Sequence, residues 1–129
     1  VLIGDGAKKK SVIQKAIDKE VLNKNVYILD PVSKLELPQL YFECDMGSSF
    51  VIPVKELWAN SANKFFDSLA SGRPILINYK GWQKEVISKK NIGYVLPVAI
   101  DDTEVKRFLT YSQNKTLILK QRKLFNLNL

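Results

Sequence analysis

Short apolar runs bounded by glycine, proline or acidic residues alternate along this chain with longer stretches whose apolar residues recur every three or four positions. Val1-Leu-Ile3 predicts a short buried strand entering the tight turn Gly4-Asp-Gly6, after which Val12, Ile13, Ala16, Ile17 and Val21 share a helical face. Val26-Tyr-Ile-Leu29 predicts a second strand, broken by Pro31. Ser33 and Glu36 have capping-box spacing, and Pro38 suits the first turn of a helix reaching Cys44. A third strand is expected from Ser48 to Pro53. A helix from about Ala62 to Ser71 then buries Phe65, Phe66, Leu69 and Ala70 and stops at Gly72. Pro74 leads into the strand Ile75-Leu-Ile-Asn78. Gln83 to Lys90 predicts the next helix and Tyr94-Val-Leu96 the next strand. Asp101-Asp-Thr-Glu104 is an acidic helix start before Val105, Phe108 and Leu109, and a basic helical segment runs from about Lys115 to Phe125.

Strands alternating with amphipathic helices imply βαβ crossovers, hence an α/β fold: a doubly wound, Rossmann-like parallel sheet with helices on both faces. Ligands of such sheets bind beyond the carboxyl ends of the strands, where helix N-termini also point. The functional search therefore narrows to Gly4 to Lys8, Asp30 to Val32, Pro53 to Lys64 and Asn78 to Trp82.

Composition adds limits. A chain of 129 residues fits one domain that buries roughly 65 to 70 % of its unfolded surface. No apolar run approaches the roughly 20 residues of a membrane span. One cysteine, Cys44, and no histidine leave no internal disulfide and no nitrogen–sulfur metal site, so neither metal nor cofactor is expected and a reducing cytoplasm is the natural setting. Without histidine, acid–base chemistry falls to carboxylates, lysines or another domain. The net charge of +7 fits an anionic partner, although the lysines at 8–10, 15 and 19 and the cations at 115–123 first read as solvated helix faces. No nucleic-acid motif accompanies that charge. Opening on an apolar strand without an initiator Met, the chain reads as an excerpt.

Two segments can carry chemistry. Gly4, Asp5 and Gly6 lie between a strand and a helix, where glycines admit either a simple tight turn or close backbone approach to a phosphate. Asn60 to Asp67 joins a polar loop to a helix N-terminus. There Ser61 can cap, the amides of Ala62, Asn63 and Lys64 and the Lys64 ammonium favour an anionic diphosphate, and Asp67 can accept hydrogen bonds from a vicinal diol or simply complement the helix dipole.

Asn63-Lys-Phe-Phe-Asp-Ser-Leu-Ala-Ser-Gly-Arg-Pro74, with Ile3-Gly-Asp-Gly6 upstream and Gly93-Tyr-Val-Leu-Pro97 downstream, resembles the C-terminal domain of family-four glycosyltransferases, retaining enzymes of the GT-B fold. The variant with Asn78-Tyr-Lys-Gly-Trp82 is similar to bacterial transferases that build surface polysaccharides, such as lipopolysaccharide and capsule, from UDP-linked amino sugars. The resemblance implies that residues 1–129 form one donor-binding domain for an NDP-sugar, here a UDP-sugar. The N-terminal acceptor domain and the first β-α unit would precede Val1. It implies a hexosyltransferase acting on a saccharide or lipid-linked acceptor in the cytoplasm, at the inner face of the plasma membrane where basic helices assist, with this piece inactive alone. By position, Asp67 matches the ribose-binding acid and Asn60 to Lys64 the diphosphate and sugar segment. Gly4, Asp5 and Gly6 match the turn beside the nucleotide, and Asp30, Pro31 and Val32 the base-recognition segment. Trp58 and Trp82 are candidates to stack on a sugar or to pack at an edge. The family's first glutamate, separated by seven residues from the acid matched by Asp67, falls on Ala59, so sugar contacts pass to Asn60, Ser61 or Glu56. Cys44 aligns with a small packing position. A nucleotide-sugar epimerase of similar fold and a non-catalytic receiver-like module are the alternatives.

Overall fold

The computed structural model describes residues 1–52, 54–57 and 63–126. The chain divides into two compact units, Val1–Leu37 and Pro38–Leu129.

In the first unit, strand β1 (Leu2–Ile3), helix α1 (Lys9–Asp18) and strand β2 (Ile28–Leu29) form one crossover. The strands pair in parallel, Leu2 opposite Ile28 and Ile3 opposite Leu29, as a helical connection requires. Ala16 is the buried residue of α1. The helix ends with Glu20 at φ +54°, the Glu20 N–H donating to the Ile17 carbonyl (2.8 Å) and the Val21 N–H to that of Ala16 (2.9 Å), a Schellman closure. The predicted capping box takes its expected form at Ser33, whose N–H donates to the Glu36 carboxylate at 2.9 Å. Bonds from the Ser33 hydroxyl and N–H hold the Glu36 carboxyl below its ordinary pKa.

The second unit opens with helix α2 (Leu37–Glu43), which starts at the boundary between the units, followed by β3 (Gly47–Ser49) and a 3-10 turn (Lys55–Leu57). There follow α3 (Asn63–Ala70), β4 (Ile75–Ile77), α4 (Trp82–Lys90), β5 (Gly93–Val95), α5 (Asp102–Gln113) and α6 (Lys115–Asn126). Its sheet is parallel in the order β3-β4-β5, with Ser48 opposite Leu76 and Leu76 opposite Tyr94. β4, covered on both faces, is apolar throughout and buried at all three positions. Phe65 from α3, Ile75 and Ile77 from β4, Tyr79, and Ile87 and Ile92 around α4 form the core. Asp101 caps α5, its carboxylate accepting from the Glu104 N–H at 2.7 Å. Between α5, α6 and β5 the rings of Tyr94, Phe108 and Tyr111 cluster. The buried Gln121 accepts from the Tyr111 hydroxyl (2.7 Å) and donates to the Asn91 side chain (3.0 Å).

The α/β class with parallel strands holds, in two small sheets where a single continuous one was expected: among the described residues no strand pairs β1 with β3. The third strand also starts earlier and stops sooner than Ser48 to Pro53. Its ladder against β4 ends at Ser49 opposite Ile77, and beyond it the Asn78 side chain takes over the pairing. In α3 the inward positions are Phe65, Ser68 and Leu69; Phe66 (47 % exposed) and Ala70 face outward. A helix eight residues long packed on one sheet buries one stripe, and 65, 68 and 69 lie on it.

Candidate functional site

The stretch from α3 to β4 divides into side chains that the fold consumes and side chains that it leaves over. Phe65 is 1 % exposed and packs edge-on to Trp82 at 5.4 Å. Ser68 is fully buried, its hydroxyl donating to the carbonyls of Arg73 (3.1 Å) and Pro74 (3.4 Å). Its Oγ also lies so near Gly47 that any side chain there would collide with it. Gly72, at φ +68°, closes a Schellman motif, its N–H donating to Leu69 and that of Arg73 to Ser68. Arg73 caps another helix: its Nε donates to the Tyr41 carbonyl at 2.9 Å and its Nη2 to that of Phe42, in the last turn of α2, with the guanidinium 4.9 Å over the Phe42 ring. Burial lowers the Arg73 pKa.

Of the polar and aromatic side chains, Asn63, Lys64, Phe66, Asp67 and Ser71 remain. Asn63 and Lys64 are the first two residues of α3 and are exposed; Asp67, one turn on, is half-buried. Among the described residues the Asp67 carboxylate takes part in no hydrogen bond or ion pair. Its charge is felt by Tyr41, whose hydroxyl is raised above its ordinary pKa by burial first and by Asp67 second. Since β3 and β4 run parallel, the connecting helix starts beyond the carboxyl end of β3, the edge where such sheets bind ligands. Asn60, Ser61 and Ala62, expected to complete this entrance, and Trp58 and Ala59 beside them, lie outside the described residues. Glu56 sits in the 3-10 turn.

Trp82 opens α4 where a loop was expected, because Gly81 at φ +151° turns the chain sharply into the helix. Its ring stacks on Phe66 at 6.0 Å and 30° and keeps 39 % of its surface exposed. Asn78 and Tyr79, quoted with it in the resemblance, serve the fold. Asn78 pairs with the Val51 backbone, and Tyr79 is 1 % exposed in the core.

In the first unit the turn after β1 is open. Gly4, at φ +144°, needs glycine for its backbone, whereas a side chain at Gly6 would meet nothing within 4 Å and no positive φ demands glycine there. Asp5 is exposed. Asp30 at the end of β2 pairs with Lys9 at 2.5 Å, a bond and charge that hold its carboxyl below the ordinary range. Pro31 is exposed and Val32 half-buried. Lys9 was hidden in a run of lysines, its one signal being its place in the first turn of α1. Tyr41 had no signal at all, since only tertiary packing brings it to Asp67. Among the described residues no cluster of potential ligands for a metal ion occurs, and no helix is long and apolar enough to cross a membrane.

No protein-family model matches this chain, and no curated protein matches it.

Proposed function

We propose that this chain is the donor-binding part of a retaining, GT-B, family-four-type glycosyltransferase, a Rossmann-like module that holds a nucleoside-diphosphate sugar, in the first instance a UDP-sugar, at the entrance of α3. One observation carries the reading. Within residues 63–74 the fold uses Phe65, Ser68, Gly72 and Arg73; of the polar side chains left exposed or half-buried without a bond of their own among the described residues, Ser71 follows the helix, whereas Asn63, Lys64 and Asp67 lie in its first five residues, at the ligand edge of a parallel sheet.

The chemistry follows from those side chains. The first amides of α3 and the Lys64 ammonium bind the diphosphate. As an acceptor oxygen bonds to the anomeric carbon and the bond from that carbon to the diphosphate oxygen breaks, these amides and the ammonium stabilise the negative charge growing on the departing diphosphate. Asp67 accepts hydrogen bonds from the 2′- and 3′-hydroxyls of the ribose and takes no part in bond cleavage. Asn60, Ser61 and Ala62 belong to the same entrance in this reading. The acceptor, a saccharide or lipid-linked glycan of the bacterial surface, is held elsewhere in the parent enzyme.

Titration of the 129-residue chain with UDP, GDP, ADP and their sugar conjugates, followed by calorimetry or amide shifts, tests the assignment. Saturable binding of one nucleotide class, lost in Asp67→Ala, supports it. Absence of binding by every nucleotide, or binding that Asp67→Ala leaves untouched, sinks it.

A further inference from the structure

Three aromatic rings interlock where α3 meets the start of α4. Phe65, 1 % exposed, is the anchor: Phe66 meets it edge-on at 5.5 Å and 86°, and Trp82 at 5.4 Å and 73°. Phe66 and Trp82 also stack on one another, their centroids 6.0 Å apart and their planes at 30°, with 47 % and 39 % of their surfaces left open. The Trp82 indole N–H makes no hydrogen bond among the described residues. Two large rings held against a buried third and open to solvent form an apolar platform that is already ordered before a ligand arrives.

We propose that this platform stacks the base of the bound nucleotide, a step that rests on the donor-site reading. A sugar nucleotide runs in the order sugar, diphosphate, ribose, base. With the diphosphate at Asn63 and Lys64 and the ribose diol at Asp67, about 4.5 Å further along the axis of α3, the transferred sugar extends away past the helix entrance. The base is joined to the ribose at the carbon next to the one bearing the 2′-hydroxyl, so it lies beside Asp67. Phe66 is the neighbour of Asp67 on the helix and brings Trp82 with it. Every base has a flat face that aromatic rings can cover, and the unbonded indole N–H can donate to an acceptor on the base edge.

The same order excludes the transferred sugar as the occupant. A sugar on Trp82 would lie on the ribose side of the diphosphate, whereas its bond to the diphosphate puts it on the other. Phe66, Asp67 and Trp82 all belong to the second unit, and the base then needs no contact from Asp30 to Val32.

Titration of the 129-residue chain with UDP and with ribose 5-diphosphate, which keeps the diphosphate and the diol but has no base, tests this. The parent is expected to bind UDP about tenfold more tightly, the gain from one stacked base. Phe66→Leu with Trp82→Leu should bring the two affinities together, while Trp82→Phe keeps most of the preference, circular dichroism verifying the fold of each variant. A second measurement needs no loss of the platform. The chain has 2 tryptophans, and the indole N–H resonance of Trp82, assigned by its disappearance in Trp82→Phe, is expected to shift with UDP and not with ribose 5-diphosphate. Stacking is overturned if the parent binds both ligands equally, if the preference survives the loss of both rings, or if the Trp82 resonance ignores UDP. In each of these cases binding that is lost in Asp67→Ala still upholds the donor site. If neither ligand binds, the donor site and the stacking fall together.

Discussion

The side-chain amide of Asn78 treats the backbone of Val51 as a neighbouring strand would: its oxygen accepts from the Val51 N–H and its nitrogen donates to the Val51 carbonyl, each at 2.9 Å. The β3–β4 ladder ends one step earlier, at Ser49 and Ile77, so a single residue extends the pairing after both strands have ended. Val51 packs on the core, and the chain beyond it leads through the 3-10 turn toward α3.

Asn78→Ala leaves two part-buried backbone groups without their partner and is expected to cost about 2 kcal/mol, given that each unsatisfied group loses roughly 1–3 kcal/mol. Urea unfolding measures the loss, and hydrogen exchange at the Val51 amide should speed up well beyond what the change in global stability explains. Unchanged exchange at that amide contradicts the role given to Asn78.

Gly93 and Gly6 separate fold from function. A side chain at Gly93 would stand 2.0 Å from the Ile75 carbonyl oxygen, a backbone atom that cannot move aside, so Gly93→Ala is expected to cost about 3 kcal/mol or more. Gly6 has open space, and Gly6→Ala should stay within about 0.5 kcal/mol of the parent in thermal unfolding. If Gly6→Ala keeps its stability but binds nucleotide less well, phosphate approach explains that glycine; if it binds equally well, the turn is only a turn.

Arg73→Met should destabilise the second unit by roughly 3 kcal/mol, because the last carbonyls of α2 at Tyr41 and Phe42 lose their charged donor while buried space is refilled only by apolar atoms. Arg73→Lys recovers part of this at most, since one ammonium cannot reproduce two donors of a planar fork. Denaturation midpoints of the two variants decide it; equal stability of Arg73→Lys and the parent contradicts the capping role.

Alkaline pH should unfold the protein through its tyrosines. Burial, then the bond to Glu104, pushes the Tyr94 hydroxyl up to about 12 from its ordinary value of 10.0. Burial also raises Tyr111. A raised folded-state pKa means that the unfolded chain gives up its proton first. Stability is therefore full below pH 10 and declines as pH rises toward about 12. Denaturation midpoints across that window should fall, and fall less steeply in Tyr94→Phe.

Much of each unit was legible because its signals are local. Short apolar runs located β4 and β5, helical spacing located α1 and α3, and the residues around Gly72, Ser33 and Asp101 acted as the stop and start signals their chemistry implies. What escaped depends on partners distant in sequence. The Asn78 amide displaced the end of the third strand, Arg73 was spent on α2, and Phe66 turned outward to meet Trp82. At the candidate site the same rule holds. Asn63, Lys64 and Asp67 were legible from their place at a helix entrance, whereas Tyr41 and the Lys9–Asp30 pair arise from packing that no local pattern encodes.

The central claim is that Asp67 grips the ribose of a nucleotide donor. Its most direct test compares UDP with 2′,3′-dideoxy-UDP, each titrated into the parent chain and into Asp67→Ala. The parent chain is expected to prefer UDP by about tenfold or more, as hydrogen bonds to a charged group each contribute roughly 1.5–3 kcal/mol, and the preference to vanish in Asp67→Ala. Equal affinity for the two nucleotides in the parent, or a preference that survives the loss of the carboxylate, would contradict it.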